Sequence, residues 1–203
     1  MDEIVVSSTS TCAERYKQVV REMRELKRLG GRCVHPLLWL TPRMLRTWGL
    51  KYMLRSGVEW EGVKMHWGAQ REWFYNRRLR RVALDLVEQW QVPLVLHTGE
   101  GRECHAAVFE ELVRERSSLT FILAHGRPLD ESIALLERYE NVWLDCAFMP
   151  RDDLQRLARL GLGGRVRFGT DAPINEVFFE NLPTQDYIRR CFAQFAEVIG
   201  GRQ

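Results

Sequence analysis

The sequence lacks long apolar runs and an excess of charge of either sign. Its apolar runs, such as residues 92–96, are far shorter than the roughly 20 residues that a membrane-spanning helix needs. Thirty lysines and arginines are balanced by 27 aspartates and glutamates, which gives a net charge of +3. Proteins that bind nucleic acid usually concentrate basic residues. We therefore expect neither a membrane span nor a nucleic-acid partner.

The spacing of the cysteines indicates no pairing. The five cysteines are scattered without any Cys-x-x-Cys pair, which disfavours a disulfide framework and indicates reduced thiols. The first residues, Met1–Ile4, show neither the basic start nor the apolar stretch of a secretory signal. No linker or low-complexity tract divides the chain. We expect a cytoplasmic protein with a single domain over residues 1–203.

Short apolar runs alternate with longer amphipathic stretches along the chain. Runs rich in Val, Ile and Leu are typical of strands buried on both faces, and apolar residues three and four apart predict helices between them. The predicted strands are residues 4–6, 33–38, 63–66, 93–97, 120–124, 142–145 and 166–168. The predicted helices are residues 13–29, 79–90, 106–115, 129–139, 152–160 and 186–199.

This alternation predicts an α/β fold with parallel strands joined by right-handed crossovers. Both an open doubly wound sheet and a closed barrel have this pattern. A dinucleotide-binding sheet should have a glycine-rich turn after its first strand, but residues 7–11 contain no glycine. We therefore favour a (β/α)8 barrel of the TIM type. It would be incomplete, because we find seven strand-helix units and the 203 residues fall short of the roughly 250 that are typical.

Titratable side chains lie at the ends of five predicted strands. The carboxyl ends of the strands in a parallel barrel meet at one mouth, where active sites are found. Histidines and carboxylates there are suitable ligands for zinc or a similar divalent ion. A single histidine would indicate only a structural hydrogen bond, but the repeated position predicts a metal site. The residues are Lys64, His66, His97, His125, Asp145 and Asp171.

The same segments resemble the amidohydrolase superfamily, specifically the amidohydrolase-2 group of metal-dependent hydrolases and decarboxylases. The matching motifs are Gly-Val-Lys-Met-His at 62–66, Val-Pro-Leu-Val-Leu-His-Thr-Gly at 92–99, Ile-Leu-Ala-His-Gly at 122–126, Asn-Val-Trp-Leu-Asp at 141–145 and Arg-Val-Arg-Phe-Gly-Thr-Asp-Ala-Pro at 165–173. The resemblance implies a TIM barrel. It also implies that metal-activated water attacks a C–N or C–O bond of a small molecule, or that the enzyme catalyses a related decarboxylation.

The resemblance further implies roles for individual residues. His97, His125 and Asp171 would hold a divalent ion, for which we expect zinc, with manganese and iron as alternatives. Asp171 and His125 would be catalytic, and Asp171 would be the base that transfers the proton. The residues expected to line the site or to contact the substrate are Lys64, His66, Asp145 and Arg127.

Two features depart from the family pattern. The first family strand carries a His-x-His pair that supplies two metal ligands, and this sequence contains no such pair. We therefore expect the first strand-helix unit to be missing, so that the seven units correspond to strands 2 to 8. Arg127 also follows His125–Gly126 where a second glycine is expected. Its guanidinium would meet an anionic substrate group or lie in solvent.

The missing pair leaves other functions open. A shortened barrel that has lost catalysis would be a binding or interaction protein. A metal-free lyase that uses Lys64 is a third hypothesis. An open barrel would also expose two edge strands, which favour pairing with another chain, so we expect a homodimer.

Overall fold

The computed structural model describes residues 4–178 and 182–200. These residues form two compact units. The first unit contains residues 4–97 and 116–121, and the second contains residues 98–115, 122–178 and 182–200. The prediction of a single domain therefore stays a prediction, and each unit is described by itself.

The first unit contains four parallel strands and five helices. Val63 pairs with Leu38 on one side and with Leu94 on the other, which sets the register at its centre. The strands are β1 (Ile4–Val6), β2 (Val34–Trp39), β3 (Gly62–Met65) and β4 (Leu94–His97). The helices are α1 (Tyr16–Gly30), α2 (Pro42–Arg46), α3 (Gly49–Leu54), α4 (Glu72–Tyr75) and α5 (Arg77–Trp90).

The two long helices of the first unit begin and end at recognisable signals. Helix α1 buries an apolar stripe that includes Val19 and Met23, and it ends at Gly31, whose φ of 57° favours glycine. The Asn76 side chain caps α5 by accepting a hydrogen bond from the Leu79 amide at 3.0 Å. This cap explains why α5 begins at Arg77, two residues before the predicted start.

The second unit contains the remaining strands. The first residue of β5 belongs to the first unit, and the others belong to the second. The strands are β5 (Phe121–Ala124), β6 (Val142–Asp145) and β7 (Val166–Arg167). The helices are α6 (Glu110–Glu115), α7 (Leu129–Arg138), α8 (Arg151–Arg159), α9 (Asn175–Phe178) and α10 (Thr184–Val198).

Apolar side chains fill the interior of the second unit. Val142 and Leu144 of β6 and Leu136 of α7 have no exposed surface. Helices α8 and α10 are linked at the surface, where Arg151 pairs with Glu197. Burial of such side chains is the main stabilising contribution to the unit.

The strand order is the chain order from β1 to β7, and this agrees with the seven predicted strand-helix units. Every predicted strand is present, with ends that differ by one residue at most. The short helices α2, α3, α4 and α9 were not predicted, because they are too short for apolar periodicity to show. Over residues 4–178 and 182–200, no helix has both the length and the apolar character needed to cross a bilayer.

Candidate metal site

The first unit holds two of the predicted histidines next to each other. His66 follows β3 and His97 ends β4. Their rings stack with centroids 3.6 Å apart and planes inclined by 16°. Two protonated imidazoles at this distance would repel each other strongly, so the stack favours a state in which at least one ring is neutral. Neutral imidazole is the form that binds a metal ion.

Trp39 orders this pair, although the sequence analysis did not single it out. Its ring is parallel to that of His66 within 8°, with centroids 5.7 Å apart. Its indole nitrogen donates a hydrogen bond to the Gln70 side chain at 3.1 Å. The Lys64 ammonium lies 4.8 Å from the Trp39 ring centroid, which is a cation–π contact. Lys64 and His66 thus lie against the Trp39 ring, and His97 stacks on His66.

The hydrogen bond of His66 limits its role. Its Nδ1 accepts a hydrogen bond from the Ala69 amide at 3.1 Å. In the neutral ring the proton is therefore on Nε2, which makes Nε2 a donor. A donor nitrogen suits contact with a substrate better than it suits a metal ion. The geometry favours the predicted role of His66 as a residue that lines the site.

The second unit brings His125 and Asp171 together. His125 follows β5 and is 7% exposed. Its Nδ1 lies 3.3 Å from the carbonyl oxygen of Ala147, to which it donates a hydrogen bond in the neutral ring. This contact places the lone pair on Nε2, and Nε2 lies 3.9 Å from Oδ2 of Asp171. Metal-binding histidines commonly donate their second nitrogen to a backbone carbonyl in this way.

The spacing between His125 and Asp171 fits two ligands of one ion. A distance of 3.9 Å is too long for a direct hydrogen bond. Two ligand atoms that each lie about 2.0 to 2.2 Å from a tetrahedral zinc ion are about 3.4 Å apart. A small side-chain adjustment would therefore let both residues bind the same ion. The tautomer of His125 and the carboxylate of Asp171 meet the chemical requirement.

Both residues of this pair have a left-handed backbone. His125 has a φ of 71° and Asp171 has a φ of 53°, and Phe148 near them has a φ of 58°. Residues other than glycine rarely adopt this left-handed region, and each instance costs about 1 to 3 kcal/mol. Such strain persists where surrounding contacts enforce it, and it is common at functional sites.

Thr98 is one of the residues that enforce the turn after β5. Its side chain is fully buried. The hydroxyl donates a hydrogen bond to the Ala124 carbonyl at 2.6 Å and accepts one from the Arg127 amide at 2.7 Å. These two bonds join the residues on either side of His125–Gly126. Thr98 therefore holds the turn that positions the His125 ring.

Asp145 and Arg127 have different surroundings. Asp145 ends β6, and its carboxylate accepts a hydrogen bond from the Ala147 amide at 2.9 Å. The same carboxylate lies against Gly169, where a Cβ atom would collide with it. The Arg127 guanidinium is 3.4 Å from the Phe148 carbonyl oxygen and 3.7 Å from the Glu100 carboxylate. Asp145 thus orders backbone, whereas Arg127 is a weakly held cation.

The arrangement of histidines and aspartates at strand ends agrees with the sequence comparison. The profile of the amidohydrolase family matches residues 54–194, which is more than half of the chain. The chain belongs to the amidohydrolase family. No curated protein sequence matches this amidohydrolase.

Solved structures of other enzymes resemble this amidohydrolase in fold. One is 5-carboxyvanillate decarboxylase from Sphingomonas paucimobilis, with a TM-score of 0.61 and 10% identity over 98% of this chain and 79% of that chain. Another is 4-oxalomesaconate hydratase from Rhodopseudomonas palustris, with a TM-score of 0.53 and 12% identity over 95% and 74%. A dihydroorotase matches with a TM-score of 0.51 and 15% identity. The match covers 89% of this chain and 59% of the dihydroorotase chain. These likenesses confirm the predicted fold, an incomplete barrel of the TIM type.

The amidohydrolase thus has its predicted site residues in two groups, each inside one unit. Several neighbours were missed by the sequence analysis. Thr98 lay within a recognised motif, directly after His97, so a search for hydroxyls beside strand ends could have found it. Trp39 and Phe148 carry no such signal, and neither does Tyr187, whose ring lies 5.9 Å from that of Phe148. Aromatic residues at these positions are equally consistent with a buried core.

Proposed function

We propose that this amidohydrolase is a metal-dependent hydrolase that cleaves a C–N or C–O bond of a small molecule, or that catalyses a related decarboxylation. The observation that carries the proposal is the pair formed by His125 and Asp171. Their 3.9 Å separation, the tautomer of His125 and the strained backbone under both residues support a shared ion.

The proposed ligands are His125, Asp171 and His97. The role of His97 comes from the family resemblance and from its place at the end of β4. Zinc fits this ligand set, with manganese and iron as alternatives. When bound, the ion would supply a Lewis acid and lower the pKa of a water molecule to about 7.

The chain's own residues would carry the remaining steps. Asp171 accepts a proton from the attacking water through a carboxylate oxygen and then passes it to the leaving group. His125 keeps its Nε2 lone pair on the side of Asp171, because the Ala147 carbonyl holds its other nitrogen. The proposed roles of Lys64, His66 and Asp145 are to line the site, and Arg127 would contact the substrate.

Metal content tests the proposal directly. The metal in the untagged chain is measured by elemental mass spectrometry, beside Asp171→Asn and His97→Ala. We expect near-stoichiometric metal in the native chain and at least a tenfold lower affinity in both variants. Activity on amides, lactones and carboxylated aromatics should fall by about 10²- to 10⁴-fold in Asp171→Asn, because the general base is lost.

Asp152→Asn is the matched control, since Asp152 is an exposed aspartate in the first turn of α8. It should keep both metal and activity. Unchanged activity in Asp171→Asn would overturn the proposal. A native chain that takes up no metal and has no activity would favour the second candidate, a binding protein on a shortened barrel, for which the missing His-x-His pair argues.

Two further predictions accompany this function. The homodimer expected from the exposed edge strand remains a proposal, and exposed Ile4 and Val5 on β1 support it. Sedimentation of the native chain would test it, and a monomer with a cooperative thermal transition would contradict it. The cytoplasmic location, expected from the cysteine content, remains a prediction as well.

A further inference from the structure

A cavity of about 520 Å³ lies in the second unit, beside His125 and Asp171. Its walls come from the segment after β6 and from helices α8 and α10. Most of the lining is apolar, aromatic or sulfur-bearing, and includes Phe148, Met149, Leu154 and Cys191. The volume falls in the range of sites that enclose small organic ligands.

Two aromatic rings connect this cavity to the His125–Asp171 pair. The Phe148 ring is 6.1 Å from the His125 ring and 5.9 Å from the Tyr187 ring, measured between centroids. The Tyr187 hydroxyl donates a hydrogen bond at 3.1 Å to the carbonyl oxygen of Thr170, the residue before Asp171. A molecule in the cavity would therefore lie next to the proposed catalytic pair.

Arg127 is the charged residue in the lining of this cavity. A guanidinium has five donors, and its described partners, the Phe148 carbonyl and the Glu100 carboxylate, are distant at 3.4 Å and 3.7 Å. Glu100 is also almost fully exposed, so water weakens that ion pair. Donor capacity therefore remains for a carboxylate, which a guanidinium binds with two parallel hydrogen bonds.

The two thiols in the wall carry no negative charge that would repel an anion. Burial raises the pKa of the Cys146 thiol to about 12, and burial also raises the pKa of the Cys191 thiol. Both thiols are thus uncharged at neutral pH. The cavity combines an apolar wall with one positive group at its edge.

We propose that this cavity binds an amphiphilic monoanion, with its apolar body against Phe148 and Tyr187 and its carboxylate on the Arg127 guanidinium. A second negative charge would find no further cation among the residues of the lining. That this molecule is the substrate rests on the proposed function. Its binding in the cavity does not depend on that function. Arg127 would thus meet an anionic group of the ligand, which is the first of the two roles predicted for it, and would not simply lie in solvent.

The test uses two fluorescent probes that differ in charge. 8-Anilinonaphthalene-1-sulfonate carries one negative charge, and N-phenyl-1-naphthylamine is its neutral relative. We expect both probes to bind the native chain with one-to-one saturation. Arg127→Gln should weaken sulfonate binding at least tenfold, because a charge-assisted contact is lost, and should leave the neutral probe unchanged. Equal effects on both probes, or no effect on either, would overturn the proposal.

Displacement extends the test to the carboxylate. Naphthalene-2-carboxylate should displace the sulfonate probe from the native chain at a concentration at least tenfold lower than naphthalene-2-carboxamide needs. Equal displacement by both compounds would contradict recognition of the anion. Arg156→Gln is the matched control, because Arg156 is exposed and pairs with Asp130 at 2.6 Å outside the lining. This variant should bind both probes as the native chain does.

Filling the cavity locates the site. Cys191→Phe should abolish binding of both probes, and Gln194→Phe replaces it if the first variant lacks a cooperative thermal transition. Retained binding in a folded variant would place the probes elsewhere and overturn the proposal. Asp171→Asn should still bind the sulfonate probe. Probe binding without metal or activity would therefore refute the proposed function alone, and activity without probe binding would refute this inference alone.

Discussion

The two units hold their titratable groups in opposite ways. In the first unit, His66 and His97 lie at the ends of regular strands, where the Trp39 ring stacks with His66 and His66 stacks with His97. In the second unit, His125 and Asp171 lie on strained left-handed backbone, and a hydrogen bond to the Ala147 carbonyl orders the His125 ring. Stacking is weakly directional, whereas the strained turns fix side-chain positions closely.

Left-handed residues other than glycine also occur in the first unit, at Glu14 and Gln91, but in the second unit they include two proposed ligands. Strain of about 1 to 3 kcal/mol at each outlier lowers stability and persists because nearby contacts enforce it. The second unit bears this cost at both members of its proposed catalytic pair. We infer that the second unit sets the reacting geometry and that the first presents an aromatic surface. The following substitutions test the two halves of that comparison.

Removal of the Thr98 hydroxyl should have the largest effect on stability. Thr98→Val keeps the shape but leaves the Ala124 carbonyl and the Arg127 amide without their side-chain partner. The Ala124 carbonyl keeps its hydrogen bond from the Thr98 amide at 3.1 Å, so loss of the hydroxyl there costs about 1 kcal/mol. The Arg127 amide is left unsatisfied at a cost of about 2 kcal/mol, which gives an expected loss of about 3 kcal/mol. Urea unfolding measures it. Thr98→Ser restores the hydroxyl and should recover most of the loss, and equal losses in both variants would show that the hydrogen bonds are unimportant.

Truncation of Trp39 is the corresponding change in the first unit. Trp39→Leu removes the ring that stacks on His66 and supports the Lys64 ammonium. We expect a loss of about 2 kcal/mol from the cavity left behind. The ring proton resonances of His66 should also shift, because the indole ring current is removed. Trp39→Phe retains a ring and should shift them less, and unchanged resonances in Trp39→Leu would argue against the stack.

A methyl group at Gly169 tests how the Asp145 carboxylate is packed in the second unit. The new Cβ in Gly169→Ala would collide with Asp145, and overpacking of this kind costs about 1 to 2 kcal/mol. Asp145→Ala removes the obstacle, so the double variant should be more stable than the sum of the two single effects predicts. Thermal unfolding of all four proteins gives the coupling energy. Strict additivity would mean that the two residues do not touch.

The sequence predicted the strands of both units, and two of the candidate site residues, His125 and Asp171, lie within 3.9 Å of each other. Buried parallel strands leave a strong apolar signal, and polar residues at their ends, such as His97 and His125, stand out against it. Short helices such as α4 leave no periodic pattern. For that reason, the burial of Trp73 at 0% exposure within α4 could not be foreseen.

The geometry around the candidate site residues was harder to predict than the strands that carry them. The left-handed backbone at His125 and Asp171 leaves no signal, because strain is enforced by distant contacts such as the two hydrogen bonds of Thr98. The tautomer of His66 likewise depends on the Ala69 amide, whose position follows from the turn after β3. Sequence identifies which groups are present, whereas their proton positions depend on the folded backbone.

The smallest expected effect is on the pH dependence of stability, to which Glu61 of the first unit contributes. The hydrogen bond from His35 lowers the pKa of Glu61, and Lys27 at 3.0 Å lowers it further. In the unfolded chain this carboxyl has a pKa of about 4.3, so acid protonates the unfolded state first. The stabilising contribution of the Glu61 carboxylate is thus present above the pKa of the unfolded chain. It is lost as the pH falls through the lower pKa of the folded chain.

Glu61→Gln should remove this pH-dependent contribution. Because the side chain is 37% exposed, solvent screening keeps the difference from the native chain below about 1 kcal/mol at neutral pH. Urea unfolding between about pH 3 and pH 7 should show the difference shrinking on the acid side. Glu59→Gln, at an exposed neighbouring position, is the control and should leave the profile unchanged. A difference that grows towards acid would mean that the ionised carboxylate of Glu61 does not stabilise the first unit.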